Sequence, residues 1–171
     1  TLSKNQVYVG NTVQASAKAY LSNQTESQSV RFTYESSAPE IAAVDAESGL
    51  VTGLRAGSAS IKVTAWRGQE GVEASETLTV LVNSLKSISF AETSMTMLLG
   101  DSIALSASGM RADGTPANLS EYTLSYQSSD ASIVAVDGSG KLTAHALGQA
   151  VITLTATKGE EQARASIDVT V

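Results

Sequence analysis

Tyr34–Asp45 reads YESSAPEIAAVD and Tyr126–Asp137 reads YQSSDASIVAVD, identical at Tyr, Ser, Ser, Ile, Ala, Val and Asp in the same order. Two unrelated segments of this length share about one residue by chance at ordinary residue frequencies. The stretch is therefore half of an internal repeat. Working outward, Gly49, Thr52, Gly57, Ala59, Ile61, Thr64, Ala65 and Gly68 correspond to Gly140, Thr143, Gly148, Ala150, Ile152, Thr155, Ala156 and Gly159, once one extra residue is allowed near Glu47. A period of roughly 90 residues divides the chain into two modules, 1–83 and 84–171.

The hydrophobic pattern of each module has period two, which places alternate side chains on one face of a strand. Val13, Ala15 and Ala17 alternate with polar residues, as Ile103, Leu105 and Ala107 do; Val30, Phe32 and Tyr34 match Tyr122, Leu124 and Tyr126. Before them, Val7 and Val9 match Met97 and Leu99, and Gly10-Asn11 or Gly100-Asp101 supplies a tight turn. Ile41 and Val44, like Ile133 and Val136, are three apart, which predicts a bulge or a very short strand. Another short strand is expected around Val51 or Leu142. Ala59, Ile61, Val63 and Ala65, with Ala150, Ile152, Leu154 and Ala156, make the most regular strand of each copy. The closing strands carry Leu78, Val80 and Val82 against Ile167, Val169 and Val171. About seven short strands per module and no helical period predict an all-β chain of two tandem immunoglobulin-like antiparallel β-sandwiches.

The second copy opens with Leu85–Ala91, for which the first has no counterpart, so the first strand of module 1–83 is expected to be truncated and to leave a sheet edge exposed. The chain starts at Thr1 rather than Met and is read as a fragment of something longer. Only Asn83 and Ser84 separate Val82 from Leu85, too few residues for a flexible tether. Leu81 points off the inward face of its strand, so it is expected either to pack with Leu85 as an interdomain contact or to stand as a singly exposed leucine.

Composition narrows the function classes. The net charge of −6 is shared by both halves, which argues against nucleic acid and against anionic membrane. With no cysteine there are no disulfides, thiolate metal sites or cysteine nucleophile. No apolar run approaches the length of a membrane span, so membrane insertion by these residues is not expected.

The order Tyr-x-Ser-Ser, Ile-x-x-Val-Asp, Gly-x-Val/Leu-Thr, a later Gly, then alternating Ala-x-Ile-x-Val/Leu-Thr-Ala resembles the group 2 bacterial immunoglobulin-like domain, often called the Big domain. The likeness covers nearly the whole chain, twice. One departure is Tyr34 and Tyr126, where the family commonly has Trp. The resemblance implies a module of secreted or surface proteins, as in intimin-type adhesins, surface-layer proteins and polysaccharide-degrading enzymes, where it usually positions other domains. It implies an extracellular or cell-surface location and partners in neighbouring domains of the same polypeptide, with polysaccharide or a host surface protein as the alternative ligand. It brings no ligand-binding motif, and no cofactor is expected.

Reactive constellations are absent. His145 is the only histidine, aligns with Leu54 near a turn, and no Gly-x-Ser-x-Gly elbow accompanies it. The acids are scattered and no Asp-x-Asp-x-Asp-Gly loop exists, so Asp45 and Asp137 read as turn residues accepting backbone N–H bonds rather than calcium ligands. A catalytic role is not expected. Trp66 falls on the polar side of its strand where the second copy has Thr157, so the fold does not demand an aromatic there. With Arg67 beside it, Trp66 could stack on a sugar ring, or it could merely be covered by its neighbours. The copies diverge most between Arg111 and Glu121, which makes Arg111 and Asp113 the other candidate ligand residues. The chain is expected to be a monomer.

Overall fold

Thr, Val and Ile in period-two alternation favour pleated strands because β-branched side chains pack well on a half-buried sheet. The computed structural model, which describes all 171 residues, is built from such strands and one short 3-10 turn. It divides into two units, Thr1–Asn83 and Ser84–Val171, each around its own core.

In the first unit the strands are β1 (Gln6–Tyr8), β2 (Thr12–Gln14), β3 (Arg31–Ser36), β4 (Ala42–Val44), β5 (Leu50–Gly53), β6 (Gly57–Arg67) and β7 (Glu70–Leu81). They form a sheet in the order β1-β7-β6-β3 and a second in the order β2-β5-β4. The β1–β7 pairing is parallel and the others are antiparallel. Ala42, Val51 and Leu78 are completely buried, with Val7, Val13, Ala15, Ala59, Ile61 and Val80 around them.

The second unit repeats this plan with β9 (Ser94–Thr96), β10 (Ser102–Ala104), β13 (Thr123–Ser128), β14 (Val134–Val136), β15 (Lys141–Ala144), β16 (Gln149–Lys158) and β17 (Glu161–Thr170). Its sheets run β9-β17-β16-β13 and β10-β15-β14. It also has a third group that the first unit lacks, β8-β11-β12, made of β8 (Leu85–Phe90), β11 (Ala107–Arg111) and β12 (Pro116–Ala117). The core gains Leu85, Ile88, Phe90 and Tyr122, with Met97 in the place of Val7, beside Val134, Leu142, Ile152, Leu154 and Val169.

Three expectations are corrected. The run from Ile103 to Ala107 is two strands, because the chain leaves the β15 ladder after Ala104 and joins β8 from Ala107. The closing strands correspond differently: Ala59 pairs with Leu78 but its equivalent Ala150 pairs with Val169, so Leu78 matches Val169 and Glu76 matches Ile167. Val82 and Leu99, expected inward, are each 59% exposed. The divergent segment from Arg111 to Glu121 turns at Asp113-Gly114 and continues through β12 and the 3-10 turn Leu119–Glu121.

Candidate functional site

The residues of the repeated stretch are engaged in building the fold. The Tyr34 ring lies over Gly49, which has φ of +71°; a Cβ there would stand 2.8 Å from the ring. Tyr126 and Gly140 repeat the arrangement at 2.7 Å. Burial pushes both phenols above their ordinary pKa. The two serines brace the next corner: Ser37 Oγ accepts the Ser60 N–H at 2.9 Å and Ser129 Oγ accepts the Val151 N–H at 2.8 Å. Ile41 and Ile133 pack where Gly57 and Gly148 have no side chain. The carboxylates of Asp45 and Asp137 close the turns that follow. Asp45 accepts the Ser48 N–H and hydroxyl, both at 2.7 Å, and Asp137 accepts the Ser139 hydroxyl at 2.6 Å, the Lys141 N–H at 3.0 Å and the Ser139 N–H at 2.8 Å. These bonds hold both carboxyls below the usual aspartate range, as the Ser132 hydroxyl and N–H do for Asp130.

Trp66 stands near the end of β6 and remains 38% exposed. Its indole N–H donates to Thr33 Oγ1 at 2.9 Å, and its ring lies over Gly71, the residue opposite on β7. Beneath it Thr64 is buried, the only polar residue that is. One face of the indole is therefore engaged with the sheet. Arg67 follows on the same strand and is exposed.

Arg111 and Asp113 belong to the second unit. Asp113 Oδ1 accepts the Thr115 N–H at 2.9 Å and its hydroxyl at 2.6 Å, while the Gly114 N–H donates to the Arg111 carbonyl. Arg111 lies 3.7 Å from the Glu121 carboxylate, which also meets Lys158 at 2.8 Å. Both residues thus hold a hairpin turn in shape. Leu85, expected at the junction, sits in the core of the second unit, and Leu81 is half-buried on β7 opposite Tyr8. His145 is exposed, and no three His, Asp or Glu side chains cluster as metal ligands would.

One participant escaped the sequence reading. Glu161 Oε2 accepts the Leu85 N–H at 3.0 Å and the Tyr122 hydroxyl at 3.1 Å. The Tyr122 phenol is pushed up by burial and by that carboxylate. Nothing in the run Gly159-Glu160-Glu161 distinguishes the second glutamate from the first.

Residues 1–75 and 84–167 each match the family model described as Bacterial Ig-like domain (group 2). The chain belongs to this family. Its two group 2 domains are also similar in fold to solved pieces of the S-layer protein SbsC. Domains 4 and 5 of that protein are 21% identical, with a TM-score of 0.51, and the match covers 94% of this chain and 82% of that one. The piece spanning domains 4–9 gives 21% identity and a TM-score of 0.53 over 95% of this chain, which spans 25% of that one. Comparison with curated proteins gave no match.

Proposed function

We propose that these two group 2 domains are a non-catalytic spacer of a secreted or surface-anchored bacterial protein, holding neighbouring domains of the same polypeptide in position and supporting adhesion or presentation. The observation that carries this reading is the use made of the repeated residues. Tyr34, Ser37, Ile41, Asp45, Gly49 and Gly57 pack against or hydrogen-bond to their own domain. The fold shared with the S-layer protein SbsC supports the placement at the surface.

A second reading, a carbohydrate-binding accessory module, rests on the open face of Trp66. One experiment separates the two. The 171-residue chain is titrated with polysaccharides and host matrix proteins while Trp66 fluorescence and a label-free signal are followed. The spacer reading expects no saturation. Saturable binding that vanishes in Trp66→Ala, with unchanged thermal stability, would replace it with the second.

A further inference from the structure

Residues paired across a ladder lie on the same face of their sheet, so the pairings give the surroundings of Trp66 on the outer face of the first domain. Arg31 and Gly71 stand on either side of it; Thr33, Thr64 and Glu73 make the next row, and Glu35 and Lys62 belong to the row after. The indole reaches across three strands. Its N–H is held over β3 by Thr33 Oγ1 at 2.9 Å, its six-membered ring covers Gly71 on β7, and Thr64 of β6 is buried beneath. The ring therefore lies flat on the sheet with its other face outward. Just beyond it, Lys62 Nζ meets the Glu35 carboxylate at 2.9 Å and the Glu73 carboxylate at 3.3 Å, and all three side chains keep contact with solvent.

The fold asks for none of this. With Ala59 and Ala150 as equivalents, the ladders put Thr157 in the place of Trp66, Gln162 of Gly71, Thr153 of Lys62, Gln127 of Glu35 and Arg164 of Glu73. The second domain builds the same four-stranded sheet without them. A glycine weakens the interior of a strand and often marks a close approach. The backbone of Gly71 is not left-handed, and a Cβ there would stand 2.9 Å from the indole. That glycine serves the ring.

We propose that this face binds a stretch of neutral β-1,4-linked polysaccharide with equatorial hydroxyls, one pyranose stacking on Trp66 and the next hydrogen-bonding to Lys62, Glu35 and Glu73. The inference rests on the second reading and narrows it to a ligand class and a set of contacts. Three features select the class. The open indole is an isolated apolar surface, with no apolar side chain in its own row or the next, whereas a lipid or a protein partner needs a contiguous patch. A pyranose of this kind has C–H groups on its faces and its hydroxyls around the rim. At the rim of the indole, an ammonium beside two carboxylates offers a donor next to acceptors, which suits neighbouring hydroxyls that both donate and accept. The charges of the face also balance, Arg31 and Lys62 against Glu35 and Glu73, which favours neither an acidic nor a basic chain. An extended ribbon lies along such a flat face, where a coiled α-linked chain does not.

The test titrates the 171-residue chain with cellohexaose and, separately, with hexagalacturonate, following amide and indole N–H signals by NMR in the unaltered chain, Trp66→Ala and Lys62→Met. Lys62 pairs at the surface, so Lys62→Met should leave the unfolding midpoint in place and the indole seated. Cellohexaose is expected to shift the Trp66 indole signal and the amides of residues 31–35 and 71–73, but not those of 123–127. Its affinity should fall at least about tenfold in Lys62→Met and vanish in Trp66→Ala; hexagalacturonate should shift none of these signals. A response at Trp66 to hexagalacturonate alone overturns the proposal and leaves the second reading standing. Cellohexaose binding that Lys62→Met does not weaken overturns the assigned contacts. Silence toward both sugars in a folded chain overturns the proposal, and a silent polysaccharide panel then removes the second reading as well.

Discussion

At Gly49 and Gly140 the backbone is left-handed, with φ of +71° and +82°, and a tyrosine ring occupies the space where a side chain would begin. Gly10 and Gly100 share the handedness, φ +89° each, but nothing lies within 4 Å of their missing Cβ. The comparison separates strain from collision. Gly10→Ala should cost about 1–2 kcal/mol, the left-handed term alone. Gly49→Ala should cost clearly more, because Tyr34 must also move; urea unfolding followed at Trp66 measures both. The carboxylates make a second prediction. Hydrogen bonds to the charged form hold Asp45, Asp130 and Asp137 below the value of about 3.9 that an unfolded chain gives them. The unfolded state therefore binds protons first as pH falls. The stabilisation is complete above that value and is lost as pH drops through the lower folded values. Melting midpoints should decline below roughly pH 4, and Asp137→Asn should flatten part of that decline. Sequence disclosed that Tyr and Gly recur together, but not that one sits on the other, because their separation along the chain carries no distance.

Among the elements, the long hairpin shows where a sequence pattern stops being informative. A period-two strand shifted by two residues keeps every side chain on its original face. Aligning Leu78 with Ile167 is therefore as good a pattern match as aligning it with Val169, and only the ladder decides. The consequence is specific. Glu76 occupies the position of Ile167, half-exposed and accepting the Leu2 N–H at 2.7 Å, whereas Ile167 is 3% exposed in an apolar core. Ile167→Glu should destabilise the second domain by at least about 3 kcal/mol by burying an unpaired charge. Glu76→Ile should shift stability by no more than about 1 kcal/mol, as measured by chemical denaturation. The opposite ranking would restore the simpler alignment. The split of Ile103–Ala107 between two ladders was equally invisible, since both strands bury alternate residues. Most other strands were legible, because their burial alternates as their polarity does.

For the molecule as a whole, two separate cores predict two unfolding events. The only tryptophan reports on the first domain, whose buried set lacks anything equivalent to Leu85, Ile88 and Phe90. In urea the Trp66 signal should therefore change at a lower concentration than the second step of the far-UV circular dichroism. Leu154→Ala, at a completely buried position, should lower only that second step by about 2–5 kcal/mol. A single transition moving as one would mean the domains unfold together. At this scale the family could be read from the repeated motif, whereas the candidate ligand residues could not be assessed. Whether Trp66 or Asp113 faces solvent or its own backbone depends on partners such as Thr33 and Thr115, which hydrophobic periodicity does not locate.

The parallel pairing of β1 with β7 has a mechanical meaning. After the bridge of Leu2 to Ala15 the chain runs along Gln6–Tyr8, and it leaves the domain along the end of Glu70–Leu81; these two strands lie side by side in the same direction. A pull on the two ends of the domain slides one strand lengthwise past the other. The bridging hydrogen bonds are then loaded together, in shear, rather than opened one after another like a zip. Tension along the polypeptide thus meets its resistance at Val7 and Val80, the buried pair at the centre of that ladder.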